Sequence, residues 1–213
     1  MKKIKSKANI ILIGAGGHAR SCIDVIEQNG NFIIVGLTGT KEELGNELMG
    51  YPIVGTDNDL PELANKYEYA MITVGQIQSF TLRQRLYMKV ADLGFILPSI
   101  ISPFAHVSRH AEIGNGSIIM HGSIVNANAK VGNNCIINSN ALIEHDANIQ
   151  DHSHISTGAI VNGGARIGVG SFIGSGSLIK QGITLGRECI VGMGLSIRHD
   201  CADKSKILKN MKT

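Results

Sequence analysis

Two hydrophobic rhythms divide the chain. Up to about residue 98, short apolar runs alternate with helical patterns. "NIILIG" reads as a buried strand and "GHARSCIDVIEQNG" as a helix, with Cys22, Ile23, Val25 and Ile26 on one side and Gly30 suited to the C-cap. "NFIIVGL", "YPIVG" and "YAMITVG" are further strands, and "DNDLPELANKY" and "SFTLRQRLYMKVADLG" are helices. This alternation predicts an α/β domain over residues 1–98, built on a small Rossmann-like parallel sheet.

From Ile101 the period becomes six. Every sixth residue through Ile197 is Ile, Val or Leu, seventeen positions without exception. Four residues after each comes a small side chain, from Ala105 to Cys189, broken at Ile183. Three residues after it, between 116 and 194, stands Gly, Asn or Asp at twelve of fourteen positions. One large inward residue, one small one and one tolerant of positive φ describe a short flat strand followed by a tight turn. Three such hexads close a triangular coil, and stacked coils form a parallel β-helix in which residue n lies over n+18. Residues 99–213 therefore hold about five coils.

Composition fits this division, with 26 glycines, no tryptophan and 4% aromatics. The net charge of +3 comes mainly from the ends, "MKKIKSK" and "KSKILKNMKT", which read as solvated tails. No aromatics are interleaved with them to suggest nucleic-acid binding. The apolar run near the start is too short for a secretory signal, and no stretch approaches the ~20 residues of a membrane span, so a cytoplasmic protein is expected. Cys22, Cys135, Cys189 and Cys201 lack metal-ligand spacing and read as reduced thiols.

"GAGGHA", Gly14 to Ala19, follows a strand and opens a helix, a placement that suits a phosphate held by backbone N–H groups. A dinucleotide fingerprint also needs an acid at the end of the second strand. Thr38 and Thr40 of "LTGT" stand there instead, which argues against NAD and leaves a nucleotide diphosphate open. A glycine turn required by packing alone competes with that reading, and His18 favours a ligand.

"NALIEHDANIQDHSHIST", residues 140–157, keeps the hexad while crowding ionisable groups onto outward positions. Gly163 lies eighteen residues beyond His145, so the two should stack in adjacent coils about 4.8 Å apart. A base beside a bare backbone donor is what acyl transfer needs. Asp146 can orient the imidazole, although it also occupies a position where the turn itself favours Asn or Asp. The competing reading of His145 is a solvated corner residue. His121 and His152 read as surface or turn residues.

The glycine turn, the hexads, "IEHDANI" and "HISTGA" together resemble the NeuD/PglD family of bacterial sugar acetyltransferases, over nearly the whole chain. The resemblance implies a left-handed β-helix, a homotrimer with sites between neighbouring solenoids, and acetyl transfer from acetyl-CoA to the amine of a nucleotide-linked amino sugar. It implies His145 as general base with Asp146 as partner, His154 at the acetyl-CoA thioester, and Gly163 as donor to its carbonyl oxygen. Gly14, Gly16, Gly17 and His18 would receive the nucleotide sugar. O-acetylation of sialic acid is the nearest alternative. A zinc hydratase of the γ-carbonic-anhydrase type would need His145, His152 and His154 as ligands, and a non-catalytic scaffold would show no CoA affinity. The family's acidic residues after the second strand and its usual C-terminal ending are missing, which leaves the nucleoside and CoA contacts open.

Overall fold

The computed structural model describes residues 7–209; the basic residues 1–6 and 210–213 lie outside that range. Contacts group residues up to Gly75 together with Arg85–Pro98, and Gln76–Gln84 together with the chain from Ser99 onward.

The first unit is a five-stranded sheet in the order β3-β4-β2-β1-β5. Its strands are β1 (Ala8–Ile13), β2 (Phe32–Thr38), β3 (Glu47–Leu48), β4 (Tyr51–Gly55) and β5 (Tyr69–Ile72). β1, β2, β4 and β5 pair in parallel. Helix α1 (Gly17–Asn29) buries Ala19, Cys22, Ile23, Val25 and Ile26, and Gly30 closes it in the left-handed conformation with its N–H on the Ile26 carbonyl. The second helix of the pattern is only one turn, α2 (Leu60–Ala64), and α3 spans Thr81–Asp92. Ile11, Ile13, Leu60, Ile72, Leu86 and Val90 share one core.

The hydrophobic pattern does not predict the hairpin at the sheet edge. β3 pairs antiparallel to β4 across Met49 and Gly50, both at positive φ, which matches a two-residue hairpin turn. Met49 conceals it, because methionine carries none of the usual turn chemistry.

The second unit is a left-handed parallel β-helix of two-residue strands, in three sheets of six, five and seven strands. Leu142–Ile143, Asn148–Ile149 and His154–Ile155 represent the first, second and third faces within one coil. Each strand pairs with the one eighteen residues away, as in Ile143 with Val161 and Ile155 with Ile173. All fourteen turn positions between 116 and 194 have positive φ, including His152 and Glu188, the two without a favourable residue type. The period holds there against local preference because the stacked backbone bonds and buried aliphatics fix the conformation.

The aliphatics fill the coil and the small residues make room for them. Inward serines remain satisfied by bonding the next coil: Ser117 Oγ donates to the Gly132 carbonyl at 2.7 Å and Ser177 Oγ to the Gly192 carbonyl at 2.7 Å. Beyond Ile197 the repeat shortens. Lys206–Ile207 pairs with Ile190–Val191 at a spacing of sixteen rather than eighteen, extending the third face past the point where the sequence period stops. Ile155 is fully buried in this core, so Ile155→Ala should lower unfolding free energy by about 2–5 kcal/mol, read from the urea midpoint. No helix among the described residues is long and apolar enough to cross a membrane.

Candidate active site

The turn after Leu142–Ile143 carries Glu144, His145 and Asp146 out of the coil at the corner between the first and second faces. Asp146 takes positive φ there and turns its carboxylate back on its neighbour, with Oδ2 2.8 Å from His145 Nδ1. Asn128, the same turn position one coil earlier, donates to Asp146 Oδ1 at 2.6 Å. Asp146 thus serves the turn and holds the imidazole at once, and the two readings of it do not compete. Glu144 accepts from Asn126 Nδ2 at 3.0 Å and from the His145 N–H at 3.2 Å.

These contacts fix the proton. A carboxylate only accepts, so His145 Nδ1 carries the hydrogen and Nε2 presents its lone pair. The Asp146 hydrogen bond raises the His145 pKa above its ordinary value, with burial opposing it slightly. Asp146 is lowered, first by Asn128 and then by His145. His145 is well exposed in the single chain, its side chain retaining 67% of its accessible surface.

Gly163 sits under the ring. A Cβ built at that position would lie 2.8 Å from His145 Cε1 and 2.8 Å from Nε2. Only a glycine leaves this space, and the Gly163 N–H donates to no group among the described residues. Base and bare donor are adjacent because the register makes eighteen residues one coil.

His154 lies elsewhere. It is nine residues from His145, half of an eighteen-residue coil, and so it falls on the third face, opposite the corner that carries His145. The two histidines do not line one cleft within the chain. His154 is 5% exposed, its Nδ1 is 2.6 Å from the Gln76 carbonyl, and its Nε2 is 3.2 Å from Asn138 Nδ2. The carbonyl demands hydrogen on Nδ1, and Nε2 then accepts from Asn138. Burial pushes its pKa down to about 4, so the ring is neutral near pH 7. His152 corrects the surface reading: it does occupy a turn, but it is 8% exposed, lies 2.9 Å from Asn134 Nδ2 and stacks on Phe80.

Phe172 packs on His154 in a T-shaped contact, with ring centroids 5.2 Å apart. Phe172 also lines a groove of about 780 Å3 along the third face, with Ile77, Ile190, Met193, Lys206 and Leu208. Among the described residues no cluster of three His, Cys, Asp or Glu could hold a metal within the chain. Burial pushes the Cys135 thiol up to about 12, which removes it as a nucleophile.

In the first unit, Gly14 is held by packing. Its N–H bonds the Thr38 carbonyl, its own carbonyl accepts from Thr73 Oγ1, and a Cβ would strike Val74 Cγ2 at 2.5 Å. Gly16 and Gly17 differ: apart from adjoining residues and the helix's own backbone, nothing lies within 4 Å of a Cβ at either position. They open α1, whose first turn has no acidic residue and no side-chain cap. His18 stands at that turn beside Gly75, whose added Cβ would lie 3.3 Å from the His18 Cβ. Packing thus accounts for Gly14, and the space over Gly16 and Gly17 fits a phosphate at a helix N-terminus.

Residues 9–90 match the family model of the PglD N-terminal domain. Residues 110–145 match the bacterial transferase hexapeptide (six repeats), and residues 164–198 match the hexapeptide repeat of succinyl-transferase. No curated protein sequence matches the chain. Among solved structures, the chain is 30% identical to a histidine-to-asparagine variant of perosamine N-acetyltransferase from Caulobacter crescentus, in complex with CoA and GDP-perosamine. That match covers 93% of this chain and 92% of the other, with a TM-score of 0.88. It is also 30% identical to the acetyltransferase domain of PglB from Neisseria gonorrhoeae in complex with acetyl coenzyme A, over 94% and 95% of the two chains, with a TM-score of 0.86. WeeI from Acinetobacter baumannii, at 19% identity, 95% and 98% coverage and a TM-score of 0.74, shares the fold.

Proposed function

The chain belongs to the PglD/NeuD family of bacterial sugar acetyltransferases, and on that premise we propose that it moves the acetyl group of acetyl-CoA to the amine of a nucleotide-linked amino sugar. The observation that carries the reading is the His145, Asp146 and Gly163 arrangement, in a chain similar over nearly its whole length to an N-acetyltransferase solved with CoA and to an acetyltransferase domain solved with acetyl-CoA. Residues 1–98 bind the nucleotide sugar through Gly16, Gly17 and His18, with Gly14 shaping the turn from within, and residues 99–213 carry the chemistry. The protein acts in the cytoplasm, where both co-substrates are made.

The sugar amine attacks the thioester carbonyl carbon. His145 Nε2 takes the amine proton, and Asp146 steadies the imidazolium that forms. The carbonyl oxygen gains negative charge and is met by the Gly163 N–H. Collapse of the tetrahedral species breaks the C–S bond, CoA thiolate leaves, and the proton on His145 is returned to the thiolate or to water. No acetyl-enzyme forms.

Acetyl-CoA lies along the third-face groove, its pantetheine arm against Phe172, Ile190 and Met193 and a phosphate near Lys206. That site supplies contacts for which the missing C-terminal motif offers no counterpart. His154 borders it through Phe172 and supports the thioester end from behind that ring, as a buried neutral imidazole. A homotrimer brings the third face of one subunit to the His145 corner of the next, so the half-coil separation of the two histidines is what a shared site requires.

The reaction is tested by thiol detection of free CoA, with UDP-, GDP- and dTDP-amino sugars and free sialic acid as acceptors. CoA released with an amino sugar supports the reading, and no release with any acceptor defeats it. The pH profile tests the base. His145 must be unprotonated to act, so kcat/KM rises as pH climbs through its pKa. Asp146 raises that pKa, so Asp146→Asn should move the rise to lower pH. It should also cut kcat about tenfold or more, because an amide can donate to Nδ1 and favour the wrong tautomer.

A further inference from the structure

The end of β2 holds a carboxylate that the sequence alone does not place there. Gly39 follows Thr38, the last residue of β2, where a dinucleotide fold would carry its ribose-binding acid. A Cβ at Gly39 would meet the Glu43 carboxylate, 2.8 Å from Oε2, and would crowd Ile53 Cγ2 at 3.1 Å. The space belongs to Glu43, four residues later. Glu43 Oε2 accepts the Thr40 N–H at 2.9 Å, and the Glu43 N–H donates to the Thr40 carbonyl at 3.2 Å. This reciprocal pair fixes the loop and leaves Oε1 without a partner among the described residues.

Topology puts this carboxylate beside the glycine turn. β1 lies between β2 and β5, so the chain leaves the centre of the sheet in opposite directions, and the ligand crevice of such sheets opens at the carboxyl ends on either side of that point. The Gly14 N–H bonds the carbonyl of Thr38, the residue before Gly39. A nucleotide whose phosphates sit over Gly16 and Gly17 has its ribose within reach of the end of β2. The vicinal hydroxyls of a ribose are two donors for an acceptor that lacks any other.

We propose that Glu43 recognises the ribose diol of the nucleotide sugar, in place of the acid missing from the strand end. The inference rests on the nucleotide-sugar reading above. It also makes Glu43 a determinant of ribonucleotide over deoxyribonucleotide carriers.

Calorimetric titration of the full chain with UDP, GDP and their 2′-deoxy counterparts tests it. The unaltered protein should bind its preferred ribonucleotide about tenfold more tightly than the deoxy form, the size of one hydrogen bond to a charged group. Glu43→Ala should lose about tenfold more for the ribonucleotide than for the deoxynucleotide, which offers only its 3′ hydroxyl, so that the preference disappears. Glu43→Gln, which keeps an acceptor for the Thr40 N–H, should fall between and separates ribose recognition from loop closure. If Glu43→Ala weakens both nucleotides equally or neither, Glu43 only closes the loop and the proposal is overturned. A protein that releases CoA with an amino sugar while Glu43→Ala keeps the preference overturns this inference and leaves the activity standing. Failure of the unaltered protein to bind UDP or GDP overturns this inference, and the CoA-release assay decides the activity separately.

Discussion

His145→Ala should reduce acetyl transfer by about 10²–10⁴-fold with little change in thermal stability. The ring is exposed and contributes nothing to the packed interior, so its removal leaves the aliphatic ladder untouched. What is lost is an imidazole held by a carboxylate over a bare backbone donor. The loss should appear in kcat and hardly in KM for acetyl-CoA, since the groove along the third face is lined by other residues. Thiol release under saturating substrates gives the rate, and a melting curve gives the control. A variant that retained more than a tenth of the rate would remove His145 as the base.

Gly163→Ala should be the second severe lesion, with a loss of about 10²-fold from a single methyl group. The added carbon would stand 2.8 Å from the imidazole, closer than carbon and nitrogen approach without bonding, so the ring must swing away. Backbone conformation offers no objection, since Gly163 is not among the residues with positive φ. The coil should therefore fold normally, and the same melting curve should not move. Equal rates for Gly163→Ala and the unaltered protein would mean that the ring does not work where it rests over this glycine.

The sites of both lesions are legible in the sequence because the period turns distance along the chain into distance in space. Eighteen residues separate His145 from Gly163 and one coil pairs them. The same arithmetic, carried half as far, puts His154 on the opposite side of the coil. What the period cannot reveal are contacts outside it. The burial and tautomer of His154 depend on the Gln76 carbonyl, 78 residues away. Residues 76–84 group with the coil although they precede it, and Arg83 there is buried with its Nε on the Asn134 carbonyl. Glu43 escapes a reading of the pattern because the acid is expected on the strand end, where Gly39 stands. His152 and Glu188 show the reverse case, in which the repeat imposes a backbone that neither residue type would choose.

The coil also sets how far any change is felt. Its backbone bonds join a residue to the coils immediately before and after it, so its stability is close to a sum of unit and neighbour contributions, and it can grow outward from any well-formed turn. Loop closure is short and nearly identical at each step, which suits faster folding of this unit than a β-structure with distant pairings would allow. A coil can thus exchange its outward residues for charged ones, as the segment around His145 has done, while the coils two places away register almost nothing.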